Sequence, residues 1–178
     1  MTKIAFGGSC HWCMEAIYQS LIGVVKVEQG FVASKEAPRT FYETVIVYFN
    51  PEQIPLKALV EIHLKTHKST VNHSKRNKYV SAVYAFSVEQ QHKIRALLEA
   101  FQNNSSEKII TKASLFNTFK PSEEMFYNYY YSNPEKPFCK TYIDPKLKKL
   151  LANYEQFTNK KLQSLVNKDN NEKSIIQN

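Results

Sequence analysis

The amino-acid sequence predicts an α/β protein in which strands and helices alternate within one domain. The chain has 178 residues, of which 43% are hydrophobic, which is enough for one core and too little for two. Its first half reads in the order strand, helix, strand, strand, helix, strand. This βαββαβ order is that of a ferredoxin-like core, an α+β sandwich with both helices packed on one face of an antiparallel sheet. Additional helices and a long irregular C-terminal segment are expected after this core.

The elements of the predicted core follow from two periodicities. β-branched and aromatic residues mark the strands, and helical stripes of apolar residues mark the helices, as with Met14, Ile17, Tyr18 and Leu21 in the first helix. Strands are expected at residues 3–6, 24–31, 43–49 and 81–86, and helices at residues 14–21 and 55–66.

The second half of the chain is expected to add further elements. These are a helix around residues 94–101, a strand over 108–115, a short helix from 121 to 130, an irregular loop over 132–139 and a last helix after Pro145. The loop carries two prolines and the third cysteine, Cys139. Residues 1–157 are expected to form a single domain. Residues 158–178, rich in Asn, Lys, Gln and Ser, are expected to form a polar, flexible tail.

The composition indicates which classes of partner and which cellular location to expect. The formal net charge is +8, from 24 Lys and Arg against 16 Asp and Glu, and we interpret it as a solvated basic surface because no nucleic-acid-binding motif accompanies it. No apolar run approaches the roughly 18 residues of a membrane span, and no signal region opens the chain. We therefore expect a cytoplasmic monomer that binds neither nucleic acid nor membrane. Three cysteines in such a chain favour reduced thiols over a disulfide framework.

Residues 6–15 carry the strongest chemical signal. They join the first strand to the first helix, so Cys10 is expected at a helix N-terminus, where unpaired N–H groups and the helix dipole favour the reactive thiolate. Gly7 and Gly8 permit a tight turn, and Ser9 can supply a capping oxygen. The ordinary alternative is a buried, inert cysteine.

Cys10 and Cys13 are spaced as Cys-x-x-Cys, which is typical of a redox pair or of half a metal site. The other candidate ligands form no convincing second pair; they are His63, His67, His73, His92 and Cys139. We therefore expect no metal. A thioredoxin-like fold would need a parallel βαβ start and a cis-proline loop, and neither can be placed. A general thiol-disulfide oxidoreductase using Cys10 and Cys13 remains an alternative, as does a non-catalytic redox-sensing module.

Four segments carry a family resemblance when they are taken together. They are residues 8–15 (GSCHWCME), 43–51 (ETVIVYFNP), 79–84 (YVSAVY) and 133–146 (NPEKPFCKTYIDPK). In this order they resemble the active-site segment, two strand segments and the C-terminal cysteine segment of the A-type peptide methionine sulfoxide reductases. The resemblance covers roughly residues 3–151. It implies an α/β sandwich with a ferredoxin-like core.

The resemblance also implies an activity, the reduction of methionine-S-sulfoxide, protein-bound or free, to methionine. Cys10 matches the family's nucleophile and would attack the sulfoxide sulfur, and Glu43 matches its acid, which would have to be protonated to help the oxygen leave. Trp12 matches the aromatic wall that receives the substrate's methyl group. Tyr79 matches a tyrosine that orients the sulfoxide oxygen. No metal or organic cofactor is implied.

A recycling step is implied as well. The sulfenic acid left on Cys10 would condense with a second thiol to form a disulfide. Cys139 matches the family's recycling cysteine and is the preferred resolving residue, with Cys13 as the alternative. An external dithiol would then reduce the disulfide, and thioredoxin is the family's usual donor.

The chain departs from the family pattern around the substrate pocket. His11 stands where the family has phenylalanine, which places a titratable ring in the wall of the methyl pocket and can make activity pH-dependent. The loop after the second strand is shorter and omits a second orienting tyrosine, for which Tyr42 is the candidate substitute. Ser74 falls near the position of the family's aspartate, and Phe126 and Tyr127 replace a His-Gln pair. These differences indicate a divergent branch.

Overall fold

The computed structural model describes residues 1–72 and 74–166 of the chain. Within these residues the strands are β1 (Thr2–Gly7), β2 (Val24–Ser34), β3 (Tyr42–Phe49), β4 (Ala82–Ala85) and β5 (Lys112–Pro121). The helices are α1 (His11–Gln19), α2 (Leu56–Thr66), α3 (Val88–Asn103), α4 (Tyr129–Ser132) and α5 (Asp144–Tyr154), and residues 160–166 are also helical. The mixed α/β class predicted from the sequence is confirmed.

The strands form a closed sheet. β1 pairs antiparallel with both β3 and β4, and β3 pairs antiparallel with β2. β5 pairs antiparallel with β2 and parallel with β4, so the order around the barrel is β1-β3-β2-β5-β4. The four strands of the predicted core pair antiparallel with one another, and the parallel pairing of β5 with β4, which closes the sheet, was not predicted. The chain leaves β4, crosses through α3 and returns in the same direction, which is the geometry of a parallel pairing.

Alternation along β3 sorts its side chains between two apolar cores. Val45 and Val47 belong to the larger core, which includes side chains of α1 and α2. Ile46 lies on the opposite face, in a smaller cluster that includes Tyr84. Glu43 is two residues before Val45 and therefore shares the face that α1 covers.

Two segments after β5 differ from the prediction. Pro121 is the last residue of β5 and opens no helix; a 3-10 turn (Glu124–Phe126) and α4 follow it. The irregular loop predicted before α5 is helical from residue 137, and a π-helical turn at Cys139–Ile143 runs directly into α5. Pro137 lies in the first helical turn. Backbone N–H groups there have no acceptor within the helix, so a proline, which has no N–H, is compatible with this position.

The chain continues to pack against the domain beyond residue 157. Thr158 forms a β-bridge with Leu21, the N–H of Asn159 donates to the Ser20 carbonyl at 2.8 Å, and Leu162 is fully buried. The predicted start of the tail at residue 158 is therefore too early, because Leu162, which follows it, packs in the core. The rest of the predicted tail, residues 167–178, lies outside the described residues.

Candidate active site

Cys10 lies at the start of α1, where the sequence predicted it. Its backbone is extended, with ψ of 132°, and its carbonyl accepts hydrogen bonds from the N–H groups of Cys13 at 3.1 Å and Met14 at 3.2 Å. The turn before it depends on Gly8, which has φ of +135°. Any other residue at this position would place its Cβ 2.9 Å from Cδ2 of His67. The turn therefore holds the Cys10 backbone at the helix N-terminus.

The two cysteines of the Cys-x-x-Cys motif have opposite protonation tendencies. A hydrogen bond from the Cys13 side chain is the largest influence on Cys10 and, with the backbone N–H groups of Trp12 and Cys13, holds the pKa of Cys10 below its usual value against the effect of burial. The same hydrogen bond, together with burial, raises the pKa of Cys13. Cys10 therefore forms the thiolate more readily of the two, and Cys13 keeps its proton.

Glu43 is buried beside Cys10 and has two neighbours of different kinds. Its Oε2 accepts a hydrogen bond from the backbone N–H of His11 at 3.2 Å, and its Oε1 lies 3.1 Å from Nζ of Lys78. The Lys78 side chain is 65% exposed, whereas the Glu43 side chain is 9% exposed, so the lysine reaches down into the site from solvent. Sequence reasoning missed Lys78, because no motif or periodicity marks an exposed lysine in a turn.

His11 packs into the wall of the site beside Glu43. Its ring contacts Phe31 and Trp12 edge to face, and its Nδ1 lies 3.5 Å from Oε2 of Glu43 with no hydrogen bond formed among the described residues. Burial is the main cause that lowers the pKa of His11, and Glu43 opposes it. The backbone of Gly30 is the ring's hydrogen-bond partner. The imidazole is thus held neutral, with one nitrogen turned toward the Glu43 carboxyl group.

Trp12 is one member of an aromatic wall. Tyr129 stacks on it with ring centroids 4.1 Å apart and an interplanar angle of 2°, and Phe138 meets it edge-on at 5.3 Å. Sequence reasoning missed both partners, which lie more than a hundred residues from Trp12 in the chain. The run of tyrosines at residues 127–131 was the available signal, but aromatic residues in a run are more often core residues than parts of a site.

Glu15 joins α1 to the segment that carries Tyr129. It is 2% exposed, and its carboxylate accepts hydrogen bonds from the backbone N–H groups of Asn128 at 2.9 Å and Tyr129 at 3.1 Å. Asn128 has φ of 54°, a left-handed conformation that asparagine tolerates. Burial is the main cause that raises the pKa of Glu15. The position of the aromatic wall therefore depends on a buried carboxyl group one turn along α1 from Cys10.

Cys10, Glu43, Trp12 and Phe138 border one cavity of about 990 Å³, called the Cys10 cleft below; Glu15 and Tyr129 are not among the residues that line it. It brings together six of the eight predicted site residues, namely Cys10, His11, Trp12, Cys13, Glu43 and Tyr79. Burial is the main cause that raises the pKa of Tyr79, and Glu43 acts in the same direction, so its phenol keeps its proton and can donate a hydrogen bond into the cleft. Within residues 1–72 and 74–166, no group of three or more His, Cys, Asp or Glu side chains is placed to hold a metal ion.

Two predicted site residues do not line the Cys10 cleft. Tyr42 precedes Glu43 in β3 and therefore faces the opposite side of the sheet, on the side of Tyr84, whose pKa is raised by burial and, to a smaller extent, by Tyr42. It is not placed to substitute for an orienting tyrosine. Cys139 is fully buried behind the cleft wall, with its Sγ 3.7 Å from the Asn133 carbonyl oxygen, and its neighbour Phe138 lines the cleft instead. Burial raises the pKa of Cys139.

Comparisons with known proteins agree with one another. The family model described as peptide methionine sulfoxide reductase matches residues 2–160. Proteins named peptide methionine sulfoxide reductase MsrA from Acinetobacter baumannii and Ruthia magnifica are 29% and 31% identical, covering 87% and 81% of this chain and 97% and 94% of their own. The structure of reduced Mxr1 from Saccharomyces cerevisiae is 23% identical with a TM-score of 0.68 over 79% of this chain and 90% of that one. Mxr1 in complex with Trx2 gives a TM-score of 0.54 at 20% identity, over 71% and 84% of the two chains.

Among the described residues, no helix is both long and apolar enough to cross a lipid bilayer.

Proposed function

Because this chain belongs to the peptide methionine sulfoxide reductase family, we propose that it reduces the S epimer of methionine sulfoxide to methionine, in oxidised proteins or as the free amino acid. The observation that carries this proposal is the placement of Cys10 at a helix N-terminus, with a lowered pKa, in the same cleft as Glu43 and Trp12. A nucleophile, a buried carboxyl group and an apolar wall are the parts that sulfoxide reduction needs.

In the first step the Cys10 thiolate attacks the sulfoxide sulfur. The oxygen needs protons before its bond to that sulfur can break, and Glu43 is the group placed to donate one. The phenol of Tyr79 orients the oxygen by a hydrogen bond. The oxygen then passes from the substrate sulfur to the Cys10 sulfur as the bond between the two sulfurs breaks. The products are methionine and a Cys10 sulfenic acid, so the substrate sulfur is reduced and the cysteine sulfur is oxidised by two electrons.

The aromatic wall receives the apolar end of the substrate. Trp12 is stacked on Tyr129 and crossed by Phe138, which leaves its ring little freedom to turn. Burying the substrate's methyl carbon against this surface contributes on the order of 1 kcal/mol. His11 completes the site beside Glu43, and its backbone N–H holds the carboxyl group in place.

The sulfenic acid then condenses with a second thiol, releasing water and forming a disulfide. Cys13 is supported for this role by its hydrogen bond to Cys10 and by the extended Cys10 backbone, which leaves the first cysteine of the pair outside the helix. The preferred sequence candidate, Cys139, is buried in the same apolar core as Cys13. We therefore propose that Cys13 resolves Cys10 first, with Cys139 within reach of Cys13 for thiol-disulfide exchange.

Thioredoxin is the proposed reductant of the resulting disulfide, because Mxr1, whose fold this chain shares, has been solved in complex with Trx2. No organic cofactor or metal has a part in these steps. We also propose a single catalytic domain acting as a cytoplasmic monomer. Its β4-β1-β3-β2 order, antiparallel throughout, supports a ferredoxin-like core to which β5 is added.

The test is the turnover of the two epimers of a methionine sulfoxide peptide, with dithiothreitol as reductant. The wild type should reduce the S epimer alone, and Cys10→Ser should reduce neither while keeping the wild-type circular dichroism spectrum. Turnover of simple disulfides without turnover of either sulfoxide would favour the general thiol-disulfide oxidoreductase and contradict the proposal.

A further inference from the structure

Lysines are concentrated around the Cys10 cleft. Nineteen residues line it, of which one, Glu43, is acidic and six are lysines: Lys65, Lys68, Lys75, Lys78, Lys146 and Lys149. The whole chain has 24 Lys and Arg against 16 Asp and Glu in 178 residues, so the cleft is far more basic than the chain as a whole. General solubility therefore does not account for this placement.

Two of these lysines are held by contacts within the cleft, and four others have exposed side chains. Lys78 pairs with Glu43, and Nζ of Lys146 donates to the Ser9 hydroxyl at 3.2 Å and to the Thr66 carbonyl at 2.9 Å. The side chains of Lys65, Lys68, Lys75 and Lys149 are exposed. In the part of the chain that the structure describes, no carboxylate lies within ion-pair distance of Lys65, Lys75 or Lys149.

The exposed lysines come from three segments that meet at the cleft mouth. Lys65 lies in the last turn of α2 and Lys68 just after it, Lys75 lies in the 3-10 turn before Tyr79, and Lys149 lies on α5. A groove of about 700 Å³ on the far side of Lys65, Lys68 and Lys149 carries Glu61 and Glu107, which partly balance the charge there. The uncompensated positive charge therefore lies on the Cys10 side.

The cleft is also larger than one side chain requires. At about 990 Å³ it lies near the upper end of the volumes found for small-molecule sites, whereas a methionine sulfoxide side chain is only a few atoms long. The remaining space suits the residues that flank an oxidised methionine in a peptide. A lysine carries its charge on a flexible side chain. Lysines are therefore better suited to binding carboxylates whose positions vary than to binding one anion held in a fixed position.

We propose that the Cys10 cleft selects methionine sulfoxide in acidic peptide segments, with the exposed lysines pairing with Asp and Glu that flank the oxidised residue. The inference rests on the proposed function and adds the substrate class. Such long-range charge attraction raises the association rate and weakens as salt screens it.

The first test measures binding to the Cys10→Ser protein, which carries out no turnover. Three short peptides share a central methionine-S-sulfoxide flanked by Asp and Glu, by Ser and Gly, or by Lys. At about 20 mM salt the acidic peptide should bind about tenfold more tightly than the neutral one, and at about 500 mM salt the two should agree within about twofold. Equal binding at low salt, or no detectable binding of the acidic peptide, would overturn the inference.

Matched lysine variants locate the effect. Replacing Lys65, Lys68 and Lys149 together by Gln should reduce the acidic preference to about twofold, because three of the charges at the mouth are lost. Replacing Lys35, Lys108 and Lys112 by Gln removes the same charge from exposed positions outside the cleft and should leave the preference unchanged. An equal loss in both triple variants would show a general charge effect and overturn the inference.

Turnover separates this inference from the proposed function. If the wild type reduces the neutral peptide and the acidic peptide with the same kcat/KM at low salt, the proposed function stands and the substrate class is wrong. If the triple variant at Lys65, Lys68 and Lys149 slows thioredoxin-supported turnover alone, and peptide binding is unchanged, the lysines recruit the reductant and the inference fails. Stronger competition by a single-stranded oligonucleotide than by an acidic peptide of equal charge would also overturn it.

Discussion

The floor and the aromatic wall of the Cys10 cleft are built from different parts of the chain. The floor holds Cys10, from the turn between β1 and α1, and Glu43, from β3. β1 and β3 are neighbouring strands of the sheet. The wall adds Tyr129 and Phe138, which follow β5. The floor follows from local rules, namely a glycine turn, a helix N-terminus and strand alternation. The wall follows from one buried carboxyl group, Glu15, that binds a distant backbone segment.

The largest effect is expected on the floor, at Glu43. Glu43→Gln keeps a side-chain oxygen for the His11 N–H but supplies no carboxylic acid proton, so kcat should fall about a hundredfold or more, with KM changed by less than about twofold. Steady-state kinetics on an S-epimer peptide with dithiothreitol measure this. Glu28→Gln, at a carboxylate that pairs with exposed Lys26, is the control and should match the wild type. A Glu43→Gln enzyme close to wild-type kcat would remove Glu43 as the acid.

The next effect separates the floor thiol from the thiol behind the wall. Cys13→Ser keeps a hydroxyl donor near Cys10 but cannot form a disulfide, so thioredoxin-supported turnover should fall by at least about tenfold, with the release of the first methionine unaffected. Cys139→Ser should have the smaller effect, because Cys139 lies outside the cleft. The comparison uses a multiple-turnover assay beside a reductant-free burst. The opposite ranking would assign resolution to Cys139.

A smaller effect is expected where the floor helix holds the wall. Glu15→Ala leaves two partly buried N–H groups without their acceptor, which should cost about 1 kcal/mol in the free energy of unfolding and about fivefold in kcat/KM as the Tyr129 segment shifts. Glu15→Gln retains one acceptor oxygen and should recover part of both losses. Urea unfolding and steady-state kinetics provide the two measurements. A Glu15→Ala variant with a wild-type KM would show that the aromatic wall keeps its position without the Glu15 carboxyl group.

The smallest expected effect concerns His11 and pH. Burial lowers its pKa in the folded state, so the neutral form stabilises the fold above the ordinary histidine pKa, and that stability is lost as pH falls through the folded-state pKa. A protonated imidazole 3.5 Å from Glu43 Oε2 would also oppose proton donation by Glu43. On the acidic side, the wild type should lose about two- to threefold in kcat/KM relative to His11→Phe. The measurements are kcat/KM and thermal stability as functions of pH, for the wild type and for His11→Phe. If the two proteins gave superimposable profiles for both quantities, this role of His11 would be contradicted.

The same contrast explains which features the sequence could predict. Cys10 lies at the helix start that the local pattern predicted, Glu43 was identified through the family resemblance, and the α/β class follows from periodicity. Tyr42 was proposed from its position beside Glu43, but adjacent strand residues face opposite sides of a sheet. Lys78, Tyr129 and Phe138 could not be predicted, because only tertiary contacts bring Lys78 and Phe138 to the cleft and Tyr129 against Trp12.

Two boundaries were missed for related reasons. The two prolines before α5 indicate a loop by composition, although Pro137 fits the first turn of a helix. The polar composition after residue 157 concealed Leu162, whose burial depends on α1 and α5 being in place. The pairing of β5 with both β2 and β4 is likewise a tertiary property, since strand signals in a sequence do not specify partners.

The most direct test of the central claim, that Cys10 takes the oxygen of the substrate, is a single turnover without reductant. Wild-type protein mixed with excess S-epimer peptide should release one methionine peptide per chain or slightly more, and mass spectrometry should find a disulfide that includes Cys10 or Cys13. Cys10→Ser should release none. Methionine formation by the folded Cys10→Ser protein, or a wild-type burst that leaves all three cysteines unmodified, would contradict the account.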